Sequence, residues 1–462
     1  MTRTTHRMVL LGLALASCTL STKFWEFNDD APVRTAGTPS SFRGDDFGTV
    51  VAPLSLAPGL TGIPEEFEGD YLAVAGTAPS ELIVLRFSDG EDLVDGSLFS
   101  RYPYEFDDAF DDSGFGSSLA AAPCCPGPTT AFGCIAVGVP GAGRIDIFDI
   151  AGATASYPVS AVASAGTALD FIIPDPDQPC AGLVVGGEGG AAFEPGDGTG
   201  GEYLLEVPPA IGQPAAVESV SSGALAAGAM PYLAVGSDGR VDIFRFDTVS
   251  NGYLFDECIE GASGGFGTVL ATADADGDGL EDLLIGAKAD APGRYASVMV
   301  LSGDRFSGPP GPPPSSCVQA SSVNAAGGLL GILGCADVPS RDIVCGADPA
   351  FGASIAVGDL DDTPPAEIIV GAPRAEVDGR SEAGTALIFA LDPSDPGGAQ
   401  LLSGLRIASP SKEDHLGDPV AVLSIAGRDE VFAGMPDHGR VLLFYCSGAG
   451  DDTCPPGNRF CR

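Results

Sequence analysis

The chain has 462 residues, 65 of them Gly and 38 Pro, with 44% apolar content and a net charge of −41. That length holds several small domains or one repeat array, and the apolar content excludes global disorder. So acidic a chain has no basic surface for nucleic acid and suits a calcium-rich medium outside the cytosol.

Arg3, His6 and Arg7 precede a short apolar run, residues 8–16, which leads into Leu15-Ala16-Ser17-Cys18. A basic start, a short apolar run and small residues before a cut make a secretory signal over residues 1–17. The run is too short to span a bilayer. The sequence LASC resembles the bacterial lipobox, which implies that Cys18 becomes a lipid-carrying N-terminus. In that pattern an Asp after the Cys favours the inner membrane. Thr19 stands here instead, so a lipid anchor in the outer membrane of a bacterial envelope is expected. Residues 18–46 then hold the anchor, an aromatic segment at 23–27 (KFWEF) and a polar linker. The linker contains Arg43-Gly44-Asp45, a match too short to carry an adhesive function by itself.

From residue 47 to 446 a three-part unit recurs, starting near 47, 115, 165, 222, 266, 351 and 416. A Phe-Gly pair or relative opens a run of small residues. An apolar strand follows, ending in Gly-x-Pro or a relative, as in 135–140 (IAVGVP) and 368–373 (IIVGAP). The third part is a strand such as 144–150 (RIDIFDI) or 240–246 (RVDIFRF). Unit three opens with Ala165-Gly166 and places its third strand at 202–207 (EYLLEV). Unit four opens with Ser222-Gly223. Short strands, turn residues and this period predict an all-β, seven-bladed propeller of four-stranded antiparallel blades. Second strands are apolar throughout and belong between blades. Third strands alternate, Ile145 and Ile147 against Asp146, so one face packs and the other is polar. Unit five carries an insertion, 305–345, with a stiff proline-rich core. Residues 447–462 have no strand pattern and read as a Cys-containing tail.

Unit five, 266–288, is the fullest copy. Its loop puts Asp274, Asp276, Asp278 and Asp282 at relative positions 1, 3, 5 and 9, with Gly277 and Gly279 between them. A hard cation takes six to eight oxygens, and carboxylates this close repel without one. An EF-hand needs Glu at position 12, where Ile285 stands, so the loop is a strand-to-strand turn. Unit six has a partial copy: Asp359, Asp361, Thr363 and Glu367 at the same offsets.

Phe-Gly, a D-x-D-G-D-G-x-x-D loop and Gly-Ala-Pro resemble the FG-GAP repeats of integrin α-subunit propellers and of bacterial surface proteins. The resemblance covers 47–446 and is strongest in units two, five and six. It implies Ca²⁺ held by Asp274, Asp276, Asp278, Asp282 and the Leu280 carbonyl, bracing a blade edge. It implies a weaker site at Asp359, Asp361, Thr363, Glu367 and the Pro365 carbonyl. It also implies that 23–27 supplies the outer strand of the last blade beside 440–446.

Cys18 aside, eleven cysteines remain, and in an exported protein they are expected in disulfides. Cys335–Cys345 and Cys454–Cys461 are the cheapest local pairs. Adjacent Cys124 and Cys125 should take different partners. Outside the signal the His residues are His415 and His438, and neither belongs to a recognisable catalytic pattern. The expectation is a non-enzymatic, monomeric binding or adhesion scaffold for a protein or polysaccharide. A hydrolase or lyase using loop carboxylates, and a purely structural envelope protein, are the alternatives.

Overall fold

The structure, a computed structural model, describes residues 25–27, 49–56, 67–77, 80–87, 99–104, 114–125, 132–150, 154–173, 182–195, 202–225, 230–261, 265–287, 297–324, 327–335, 342–346, 348–360, 364–391, 398–407, 410–425, 428–438 and 440–444. The lipidation candidate Cys18, the tripeptide at 43–45, Cys180 and the tail cysteines lie outside them.

An apolar strand such as 283–285 (LLI) needs burial on both faces. The fold provides it by standing seven antiparallel sheets side by side in a ring. Blade 1 runs Val50–Leu56, Gly69–Thr77, Ser80–Phe87, Phe99–Tyr104 from the inside out. Blade 5 runs Phe266–Ala273, Asp282–Ala287, Ser297–Leu301, Leu329–Gly334. Each innermost strand lies against that of the next blade, and Val420–Ile425 of blade 7 returns to Val50–Leu56 of blade 1. The last blade is completed from the other end of the chain. Trp25–Phe27 pairs antiparallel with Arg440–Phe444, Trp25 opposite Leu443 and Phe27 opposite Val441. This is the closure expected of KFWEF.

Apolar clusters fill the gaps between neighbouring blades. Leu283 and Ile285 pack with Ile243 of blade 4, while Leu284, between them in sequence, packs with Ile368 and Val370 of blade 6. All three are fully buried, each worth about 1.5–3 kcal/mol. The period of two thus distributes one strand between two interfaces.

Glycine closes those interfaces. A Cβ on Gly371 of blade 6 would lie 2.0 Å from the carbonyl oxygen of Gly417, which opens blade 7. A Cβ on Gly138 of blade 2 would lie 2.0 Å from that of Gly166, which opens blade 3. The glycine near the end of one blade's second strand and the glycine that opens the next blade are two halves of one backbone contact. The phenylalanines pack beside it: Phe351 meets Phe389 edge-on at 5.8 Å, and Phe115 meets Phe148 at 6.4 Å.

Four sequence expectations need correction. The third strand of blade 3 is Gly190–Pro195, and 202–207 instead contains the outermost strand, Tyr203–Leu204. Blade 4 begins earlier than Ser222-Gly223, which lies within the strand Ser219–Gly223. The carbonyl that faces blade 3 there belongs to Val217, which accepts from Thr167 Oγ1 at 2.8 Å. The supposed insertion contains the outer strand of blade 5, Leu329–Gly334; the added chain lies before it and lends a parallel fifth strand, Val318–Gln319, to blade 4. Finally, the polar positions of the third strands are buried. Asp242 is 1% exposed and pairs with Arg240 at 2.7 Å. Burial pushes its pKa up to about 6 despite Arg240.

Disulfides join Cys125 to Cys134, Cys258 to Cys317 and Cys335 to Cys345. The last was expected. Cys124 is also disulfide-bonded, so the adjacent cysteines do have different partners.

Candidate metal centre

The acidic loop links the two inner strands of blade 5, Phe266–Ala273 and Asp282–Ala287. Gly277 and Gly279 hold φ of +82° and +86°, a region glycine enters without a Cβ penalty. The backbone curls there and turns its N–H groups onto the carboxylates. Asp274 accepts from Gly277 N at 2.8 Å and Gly279 N at 2.9 Å. Asp276 accepts from Asp278 N at 3.0 Å, and Asp278 from Leu280 N at 2.8 Å. Asp282 is fully buried and accepts from Ala275 N at 3.0 Å and Asp276 N at 3.2 Å, tying the loop's two ends together.

Asp274, Asp276 and Asp282 each present one oxygen within 4.8 Å of the others. Ca²⁺ binds oxygen at roughly 2.3–2.6 Å, so oxygens sharing one ion lie within about 5 Å of each other. The trio meets that limit, and the all-oxygen donor set suits a hard cation. Asp278 is exposed and stands outside the trio. The electrostatics point the same way. Burial, then Asp278, raises the pKa of Asp276. Burial pushes Asp282 up to about 7, with Asp276 and Asp278 adding to it against the N–H groups of Gly303 and Ala275. A bound divalent cation would reverse that cost of ionisation.

In blade 6, Asp361 and Thr363 lie outside the described residues. Glu367 is 2% exposed and accepts from Leu360 N at 2.9 Å, seven residues back, as Asp282 does from Ala275. Pro365 lies beside Gly277, where an added Cβ would meet its Cα at 3.8 Å, so the two acidic loops are neighbours. Asp359 does not stand free: its N–H donates to Asp429 of blade 7 at 2.8 Å.

Two supports escaped the sequence reading. Gly303, in the turn after the third strand of blade 5, donates its N–H to Asp282 Oδ1 at 2.8 Å. Glu281 reaches back to blade 4, accepting from Ala224 N at 2.8 Å while its own N–H donates to Ala224 O at 2.8 Å. Asp429 likewise accepts from the backbone of the preceding blade, at Asp359 N. An acidic residue just before an apolar second strand was the available signal.

His415 contacts Asp437 through Nδ1 and Glu382 through Nε2, the latter at 3.3 Å. This bridges the loops of blades 6 and 7. No helix among the described residues is long and apolar enough to cross a membrane. No family model matches this chain, and no curated protein matches it.

Proposed function

We propose that the chain is a calcium-braced propeller of the FG-GAP type, anchored to the outer membrane of a bacterial envelope by lipid on Cys18, which displays its loops to a protein or polysaccharide. The reading is carried by the oxygen trio of Asp274, Asp276 and Asp282, with the reach of a hard cation, built into a closed ring. In this role the ion braces blade 5, with Asp278 and the Leu280 carbonyl completing its shell, and recognition falls to other loops. Strands in a blade are antiparallel, so the metal loop and the turn between the second and third strands lie on opposite faces. On that opposite face blade 4 carries a cavity of about 420 Å³, lined by Gln213, Glu218, Asp238, Arg240 and Glu260 among others. Its volume is within the range of small-ligand sites, and its charged lining would suit a polar ligand such as a sugar.

Melting with calcium and with chelator tests the bracing. For a Kd of roughly 10⁻⁴ M, 1 mM calcium stabilises by about 1.4 kcal/mol. Equal melting under both conditions would sink the metal reading. Labelling with radioactive palmitate tests the anchor: label is expected on the wild type and absent from Cys18→Ser.

A further inference from the structure

The proline-rich segment before the outer strand of blade 5 is a built ridge. Pro309, Pro310, Pro312, Pro313 and Pro314 each fix φ near −65°. Every residue from 308 to 313 except Pro310 precedes a proline and is therefore driven to extended ψ. Gly311 has no positive φ to break the run. The prolines hold 309–314 extended, in the manner of a polyproline II helix with roughly three residues per turn.

That period sorts the segment into faces. Gly308, Gly311 and Pro314 share one edge, and it is the edge fastened to blade 4. Gly308 O accepts from Arg245 Nη1 at 2.9 Å, and Gly311 N donates to Asp256 Oδ1 at 2.8 Å. Arg245 and Asp256 are themselves paired at 2.6 Å, with side chains 14% and 8% exposed. Pro314 is half-buried. The remaining edges carry two i, i+3 proline pairs, Pro309 with Pro312 and Pro310 with Pro313, of which Pro310 alone is half-buried. Pro309, Pro312 and Pro313 are exposed. Beyond the ridge, the Cys258–Cys317 disulfide and the Val318–Gln319 strand hold the segment to blade 4. Exposed Leu254, opposite Arg245 in the ladder, and exposed Val318 extend the apolar surface.

We infer that this ridge is a docking surface for a protein partner with an aromatic-lined groove that reads polyproline II. Such grooves take proline rings at i and i+3 between aromatic side chains and donate hydrogen bonds to the exposed carbonyls. The ridge is preformed, so binding costs little conformational entropy. Strand addition is excluded because prolines supply no N–H. A second copy is disfavoured by the self-repulsion of a −41 chain. The inference names a partner class for the scaffold reading and rests on it, but not on the metal loop.

The test titrates the full mature chain, in calcium and in chelator, with a panel of purified SH3, WW and EVH1 domains. At least one domain is expected to bind with Kd below about 1 mM. Pro309→Ala/Pro312→Ala is expected to weaken it by about tenfold or more, while Pro314→Ala on the fastened edge leaves it unchanged. Both variants should melt like the wild type; if the double variant melts lower, Pro312→Ala alone replaces it. Absence of binding by every domain overturns the inference, as does equal weakening by both variants. So does a dimer in sedimentation that the outward variant dissociates. Binding that persists in chelator keeps this inference separate from failure of the calcium reading.

Discussion

Gly371→Ala tests the contact that spaces the blades. The new Cβ would stand 2.0 Å from Gly417 O, 2.3 Å from Ser354 Oγ and 3.1 Å from the Gly417 carbonyl carbon. Carbon and oxygen in close contact sit at roughly 3.3–3.6 Å, so the Gly417 carbonyl must retreat by more than about 1 Å. Gly417 has little freedom to comply. It holds φ of +98°, and a Cβ built on it would lie 2.4 Å from Thr385 O and 3.4 Å from the Gly371 Cα, so its backbone is already hemmed in. The retreat also strains the 2.7 Å hydrogen bond from Ser354 Oγ to Gly417 O. Overpacking costs about 1–3 kcal/mol and a lost hydrogen bond about 1 kcal/mol, so destabilisation of about 2–4 kcal/mol is expected. Gly334→Ala is the control, because nothing lies within 4 Å of its Cβ. Urea titration can be read by circular dichroism and by the single tryptophan, Trp25, which belongs to the closing strand. Gly371→Ala should lower the midpoint and Gly334→Ala should not. Equal midpoints for the two variants would refute the interlock.

Leu284→Ala, fully buried against blade 6, should cost about 2–5 kcal/mol in the same titration; a loss below about 1 kcal/mol would contradict the packing. Asp282→Ala should abolish the calcium-dependent rise in melting temperature, and an undiminished rise would remove Asp282 from the ligand set. His415 is acted on by burial, which lowers its pKa, but Asp437 and Glu382 outweigh it and raise the pKa above the ordinary 6.5. Its contribution is therefore complete below pH 6.5 and fades as pH rises through the raised value. His415→Gln should flatten that part of the stability profile, and an unaltered profile would refute the bridge. Burial raises Asp170 to about 7, with Glu281 adding to it against hydrogen bonds from Ser222. Stability from this group is lost as pH rises from about 4 through 7, so Asp170→Asn should gain on the wild type at pH 8 relative to pH 4. Equal pH dependence would show that Asp170 ionises freely.

Much of the ring could be read from the chain because its second strands are buried on both faces and cannot be anything but apolar. Leu283, Leu284 and Ile285 announce themselves, as does the KFWEF strand that the last blade lacks. The third strand of blade 3 did not, because Gly190–Pro195 opens on Gly-Ala-Ala and shows no apolar–polar alternation. The opening of blade 4 was misplaced because its inter-blade contact is a backbone carbonyl, which Val217 supplies as well as glycine does.

The acidic loop was legible because its spacing is local: carboxylates at fixed offsets around two glycines curl together by short-range geometry. Its supports were not, because Gly303 and Glu281 act through contacts with a later turn and a neighbouring blade. Covalent geometry and local pattern alone set the repeat, the apolar strands, the offsets of the acidic loop and the extended run of prolines. Which faces are buried, which carbonyl meets which glycine, and which proline edge is fastened follow only from how the blades pack. Those depend on residues far apart in the chain meeting at separations of a few ångströms, and no local pattern encodes such distances.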